Sequence, residues 1–225
     1  MSNTTLNLVA IAIFSLVILS LVGPLVQISP VVPAIAAFGM LSIATVDTLQ
    51  WQGRGGTLLL DWVANFSPEH RQRVIRHEAG HFLVAYLLEI PVTGYTLTAW
   101  DALKQGQPGL GGVSFDSQAL EAQLANNELS VQLVDRYCTV WMAGIAAEQS
   151  FYGNVEGGAD DRQTIQILWS QLRRPSSEAE LKQRWATLQA TTLLENHQAA
   201  YNALVSALER RASVEECCTA IAHAL

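Results

Sequence analysis

Hydrophobic patterning divides the chain into two kinds of sequence. From Leu6 to Val22 the residues read LNLVAIAIFSLVILSLV, apolar on every side of a helix. Extended past Gly23-Pro24 to Ile28, the run is about 23 residues, enough for the ~20 that a helix needs to cross the hydrocarbon core of a bilayer. A second run, Val31 to Val46 (VVPAIAAFGMLSIATV), is marginal in length. It is read as the second arm of a transmembrane hairpin, or as a helix lying on the membrane or against the following domain. A signal peptide is disfavoured, because no Lys or Arg precedes the first run and no small-x-small cleavage site separates the two. Residues 1–47 are therefore expected to be a retained membrane anchor of one or two helices. Residues 48–66 follow as a linker, with Gln52-Gly-Arg-Gly-Gly56 a flexible link and 58–63 an apolar stretch.

Beyond the linker the pattern becomes amphipathic. Ser67-Pro68-Glu69 is a helix start, with Ser as cap, Pro in the first turn and an acid at the positive end of the dipole. The helix is predicted to run from Pro68 to about Leu88, ahead of Pro91. Thr93 to Trp100 has strand character, Gly106 to Gly112 reads as a loop, and Val113 to Phe115 as a short strand. From Ser117 the spacing is helical, over Leu120–Leu124, Val131–Gln149, Arg162–Leu172, Glu178–Asn196 and His197–Arg211. The expectation for residues 67–225 is one mainly α domain with a small β element.

Charge sharpens the division. Only 15% of residues are charged, against about 25% in a typical soluble domain. The deficit is local: Asp47 is the only charged residue before Arg54, and all 13 Lys and Arg lie at or beyond Arg54. The positive-inside rule then places the C-terminal domain on the cytoplasmic side, or its organellar equivalent. A net charge of −7 argues against nucleic acid as a partner. Three cysteines make neither a disulfide framework nor a zinc knuckle, which agrees with a reducing compartment.

The chemistry lies in His77-Glu78-Ala79-Gly80-His81. Residues i and i+4 share one helix face, so both imidazoles can reach one ion. Glu78, beside the first ligand, can serve as general base for water at the open coordination position. Gly80 costs the helix about 1 kcal/mol against Ala, which implies close packing or a functional reason. A third ligand is needed. His70 lies about two turns away along the same helix, and His197 and His223 read as ordinary histidines of helical segments. Gly157-Gly-Ala-Asp160-Asp161 is a better source: a glycine-rich turn entering a helix can present a carboxylate, one Asp capping while the other binds.

These segments together resemble a known family. His77-Glu-Ala-Gly-His81, Gly144-Ile-Ala-Ala-Glu148, Phe151-Tyr-Gly-Asn-Val155 and Gly157-Gly-Ala-Asp-Asp161 are similar, in order and spacing, to the peptidase domain of the FtsH membrane-bound zinc proteases. Gly111–Phe115 looks like the family's strand beside the site, and Thr192 onward like its C-terminal helices. The resemblance implies a helical zincin-type peptidase domain holding one Zn²⁺ per chain through His77, His81 and an aspartate. The aspartate is Asp161 when aligned from the helix side, and Asp160 when aligned from the Gly-Ala side, because the segment is one residue shorter than the family's. It also implies that Glu148 orients a ligating histidine, and that Val113, Ser114 and Phe115 bind substrate backbone as an added strand. Ile145 stands where the family has Arg, and Arg162 where it has an apolar residue. No G-x-x-x-x-G-K-[ST] occurs, so ATP is not an expected ligand.

The sequence is thus read as a membrane-anchored, ATP-independent zinc metalloendopeptidase of the plasma or thylakoid membrane. Its expected partners are membrane lipid and unfolded or loosely structured polypeptides, with homo-oligomers or FtsH-type proteins as assembly partners. The alternative is a non-catalytic chaperone or adaptor that binds peptides or joins ATPase-bearing FtsH proteins. An intramembrane protease is disfavoured by Arg71, Arg73 and Arg76, which lie within two turns of the motif.

Overall fold

The computed structural model of the chain describes residues 3–50, 67–106, 111–126 and 128–225. The expected link at Gln52–Gly56, the apolar stretch 58–63 and most of the loop expected over Gly106–Gly112 lie outside the described residues. The elements in chain order are α1 (Asn3–Val22), α2 (Val31–Gln50), α3 (Pro68–Leu87), β1 (Val92–Tyr95), α4 (Ala99–Lys104) and β2 (Val113–Phe115). They continue with α5 (Gln118–Ala125), α6 (Val131–Tyr152), α7 (Ala159–Gln171), α8 (Ser176–Asn196), α9 (Gln198–Glu209) and α10 (Val214–Ala224). The fold is mainly helical with a two-stranded sheet. Two compact units divide it: residues 1–67 with 98–110, and residues 68–97 with 111–225.

In the first unit, α1 ends where Gly23-Pro24 tighten the chain into a 3₁₀ turn, closed by the Ile28 N–H on the Gly23 carbonyl at 2.8 Å. Val9–Val26 is long and apolar enough to cross a membrane, by length and composition; the apolar stretch of α2, Val31–Asp47, is shorter. Apolar side chains of both helices stand exposed, among them Phe14, Leu21, Phe38 and Leu41. The strand expected over Thr93–Trp100 stops at Tyr95. Thr98 starts α4 instead, its hydroxyl accepting the Asp101 N–H at 3.0 Å, so a residue with strand propensity acts as a helix cap.

The second unit is built on α3 and α6. The last turn of α3 is closed by Glu89 in the left-handed region (φ 56°) and by the Ile90 N–H on the Ala85 carbonyl at 2.9 Å, ahead of Pro91. Phe82, Leu83 and Val84 of α3 are fully buried with Val140, Ala143 and Ala147 of α6, Leu204 and Leu208 of α9, and Ile221 of α10. A second cluster takes the other side of α6: Val134, Cys138, Met142 and Ile145 pack with Ile165, Leu168 and Trp169 of α7. Buried on both sides, α6 is the central helix of this unit. Helix α10 has its own start signal, which the periodicity did not pick out. Ser213 and Glu216 form a capping box, the Ser213 hydroxyl accepting the Glu216 N–H and the Glu216 carboxylate accepting the Ser213 N–H.

The sheet is a single antiparallel pair with Tyr95 opposite Val113 and Val92 opposite Phe115, interrupted by a bulge between Val92 and Gly94. Two bonds fix which way β2 faces: Thr96 N–H to the Gly112 carbonyl, and Asp116 N–H to the Pro91 carbonyl. Backbone groups alternate sides along a strand. Gly112, Ser114 and Asp116 therefore turn toward β1, while Val113 and Phe115 turn theirs to the opposite side.

Candidate metal centre

Two glycines bring α3 and α6 together. A Cβ at Gly80 would lie 2.5 Å from the Ala143 carbonyl oxygen and 2.9 Å from the Ala147 Cβ. A Cβ at Gly144 would lie 2.3 Å from His77 Nε2 and 2.5 Å from His81 Nε2. Neither space admits a methyl group, so the missing side chains permit the close helix crossing on one side and the two imidazoles on the other. The helix-weakening Gly80 is a packing requirement.

His77 and His81, one turn apart on α3, meet with Nε2 atoms 3.0 Å apart. The tautomers follow from what lies behind each ring. His81 Nδ1 is 2.7 Å from the Val140 carbonyl, which can only accept, so Nδ1 carries the hydrogen. His77 Nδ1 is 2.8 Å from Glu148 Oε1. Burial alone would raise the Glu148 pKa, but bonds from His77, the Glu156 N–H and Arg73 hold it down at about 2. Glu148 is therefore an anion, and His77 Nδ1 donates to it. Both Nε2 atoms are then left as lone pairs facing one another.

Asp161, in the first turn of α7, closes the group. Its Oδ2 is 3.2 Å from His77 Nε2 and its Oδ1 is 3.5 Å from His81 Nε2. Three acceptors converging in this way repel unless a cation stands among them. In the metal-free protein a proton does so. Burial lowers the His77 pKa, but the carboxylates of Asp161, Glu148 and Glu78 outweigh it and lift His77 to about 10. Burial likewise opposes the Asp161 anion, and the two histidines outweigh it and hold that carboxyl well below its usual range. A tetrahedral ion with ligand bonds of about 2.0–2.1 Å spaces its ligand atoms ~3.3 Å apart. With one ligand atom from each residue the three donors lie within 4.8 Å of one another, the imidazoles 3.0 Å apart and each nearest a different Asp161 oxygen, at 3.2 and 3.5 Å. His77, His81 and Asp161 thus form a group that could hold a metal ion. Of the adjacent acids, Asp160 is exposed, and its side chain does not cap α7, whose N-cap is Gly158 with φ 77°.

Glu78 faces the same group. Burial raises its pKa, while His77 and His81 pull it down and Asp161 pushes it up, for a net upward shift. Its Oε2 accepts the Val113 N–H at 3.0 Å. This bond uses the side of β2 that faces away from β1, so Val113 N–H is occupied by Glu78 and the Ser114 backbone is turned to β1. Gly112, with φ 131°, brings the strand in: its Cβ would lie 3.3 Å from Glu78 Oε2.

Glu148 is the most buried carboxylate near the site, its side chain 1% exposed. Its Oε1 accepts from His77 Nδ1 and the Gly157 N–H (3.2 Å), and its Oε2 from Arg73 Nη1 and the Glu156 N–H (2.9 Å each). In the sequence Arg73 counted only as a charge near the motif and not as a site residue, although it stands four residues before His77 on the same helix face. Asn154 was likewise missed; its carbonyl and side-chain oxygen accept from Arg73 at 3.3 and 3.1 Å. The remaining histidines stay outside the group. His197 Nδ1 is bonded to the Leu193 carbonyl at 2.9 Å, and His223 is exposed near the end of α10. His70, two turns before His77, is half-buried.

No protein-family model matches the chain, and no curated protein sequence matches it.

Proposed function

We propose that the chain is a membrane-anchored zinc endopeptidase that works without ATP, its second unit a helical zincin-type domain like the FtsH peptidase. The carrying observation is the convergence of His77, His81 and Asp161 acceptor atoms at 3.0–3.5 Å, with Glu78 alongside. Two imidazoles and one carboxylate are a donor set that suits zinc with an open position. The raised pKa of Glu78 suits a group that must take up and return a proton near neutral pH.

Bound Zn²⁺ supplies Lewis acidity, polarising a peptide carbonyl and making water acidic near neutral pH. His77 and His81 would hold the ion through Nε2, with Asp161 as the third ligand, and Glu148 and the Val140 carbonyl fix both ring orientations from behind. Glu78 takes the proton of the attacking water as its oxygen bonds to the peptide carbon. Glu78 then hands that proton to the leaving nitrogen as the C–N bond breaks. The Val113 bond fixes Glu78 Oε2, which assigns the proton to Oε1. An extended substrate would pair with the Val113 carbonyl and the Phe115 N–H, on the side of β2 away from β1. Substrates are unfolded or loosely structured polypeptides near the membrane, and the arginines that follow the anchor support a domain on the cytoplasmic or stromal side.

The test uses the full chain in detergent. It should carry about one zinc per chain and hydrolyse unfolded casein. Glu78→Gln should keep the zinc and abolish hydrolysis, because it removes the base and leaves every ligand. Zinc retained without hydrolysis in the unsubstituted chain would favour the non-catalytic peptide-binding reading instead.

A further inference from the structure

We propose that Arg73 is the positioning residue of the metal centre: one guanidinium locks Glu148, and through it sets both the His77 ring and the turn that delivers Asp161. The proposal deepens the zinc-site reading and rests on it.

A carboxylate has about four lone-pair sites, and Glu148 fills all four. Oε1 takes His77 Nδ1 and the Gly157 N–H; Oε2 takes Arg73 Nη1 and the Glu156 N–H. A carboxylate held at four points cannot rotate without breaking a bond at each. His77 is thereby fixed from α6, and residues 156 and 157 are fixed to the same group. Those residues enter the tight turn at Gly158, which leads within three residues to Asp161. The space there is closed: a Cβ at Gly157 would lie 2.7 Å from Glu148 Oε1. Two of the three ligands therefore take their positions from one buried anion.

Arg73 governs that anion. Its side chain is 9% exposed, and besides Glu148 it binds the carbonyl and side-chain oxygen of Asn154, in the same turn. Its guanidinium lies 4.1 Å above the Tyr152 ring, which fixes its plane. The fork spans Glu148 on one side and Asn154 on the other, so α3, the end of α6 and the turn before α7 are joined at one residue. A lysine keeps the charge but has no planar fork, and cannot hold both partners in that geometry. Arg73 also lies 3.5 Å from the exposed Glu156 carboxylate, but it touches neither the ligand atoms nor Glu78, so its influence on the His77 ring passes through Glu148.

The experiment is a Co²⁺ titration of the full chain in detergent, followed by Zn²⁺ competition. It compares the unsubstituted protein with Arg73→Gln, Arg73→Lys, Asn154→Ala, Glu148→Gln and the Arg73→Gln/Glu148→Gln pair. Loss of a group that orients a metal ligand typically weakens binding 10–100-fold. Arg73→Gln should fall in that range and alter the visible Co²⁺ spectrum, with Arg73→Lys recovering only part. Asn154→Ala should weaken binding less and shift the spectrum the same way. In the Glu148→Gln background, Arg73→Gln should have little further effect. Equal affinity and spectrum in Arg73→Gln would overturn the proposal, and so would a loss undiminished in that background. If Arg73→Gln does not fold, Arg73→Lys and Asn154→Ala decide it, and unsubstituted affinity and spectrum in both would overturn it. Failure of the unsubstituted chain to bind Co²⁺ or Zn²⁺ is a separate result, which removes the metal-site reading and this proposal with it.

Discussion

α1 and α3 are both twenty residues long, and they solve opposite problems. α1 is apolar all round, has no acid in its first turn or base in its last, and leaves Phe14 and Leu21 about two-thirds exposed. α3 is on average slightly polar, yet Phe82, Leu83, Val84 and Ala85 are completely buried. The difference is arrangement. A helix with an apolar stripe folds against its own protein, and the opposite face can carry ionisable chemistry. A helix apolar on every side has no such stripe, and its exposed surface calls for lipid or another apolar cover. The candidate metal centre stands on the first kind, where His77 and His81 sit one turn apart at the edge of a core.

The largest way to break this comparison acts on the site alone. His77→Ala, His81→Ala or Asp161→Asn should abolish stoichiometric zinc, measured by atomic absorption after dialysis, while Asp160→Asn should retain it. Gly144→Ala should behave like a ligand loss, because its methyl would lie within 2.5 Å of both Nε2 atoms. None of these changes should release the chain from membranes. Arginine in α1 should do the reverse. At a membrane-helix centre each arginine costs about 2.5–3.5 kcal/mol, so Phe14→Arg with Ile18→Arg should put the chain in the alkaline-carbonate supernatant with its zinc content intact. Retention of that double variant in the pellet would show that α1 alone does not hold the chain in the membrane.

A smaller contrast compares equal deletions. Leu83→Ala removes a fully buried side chain and should cost about 2–5 kcal/mol. Leu21→Ala removes an exposed one and should leave the thermal midpoint of the site-bearing unit unchanged. Smaller still is a pH effect on the metal-free protein. His77, raised to about 10, contributes stability that is complete below its unfolded pKa of ~6.5 and is lost as pH rises through the folded value. Glu148, lowered to about 2, contributes stability present above ~4.3 and lost as pH falls through the folded value. Thermal midpoints in EDTA should therefore decline between pH 7 and 10. Zinc bound at the site would replace the His77 proton and should remove that decline; equal slopes with and without zinc would contradict the assignment.

Legibility in the sequence followed the range of the interactions involved. Helices set by local signals were readable: α3 begins at Pro68, after Ser67, and stops before Pro91, and α8 ends at the expected Asn196. The HEAGH spacing put both imidazoles on one face because helix geometry is local. Thr98 shows the limit, since its β-branched side chain reads as strand and its hydroxyl caps a helix. Gly144 was visible as part of a motif, but its reason is contact with histidines more than sixty positions away, which no local pattern reveals. Arg73 read as one of three arginines within two turns of the motif. Only the approach of α6 showed that its partner is the buried Glu148. The faint signal was its place four residues before His77, on the stripe that carries both histidines.

The most direct test is zinc K-edge X-ray absorption on the full chain in detergent, purified without added chelator. Two imidazole nitrogens and oxygen ligands at about 2.0–2.1 Å, with the imidazole scattering lost in a His77→Ala/His81→Ala double variant, are the predicted result. Sulfur scatterers at about 2.3 Å, or an unchanged spectrum in that variant, would contradict a centre built on His77, His81 and Asp161.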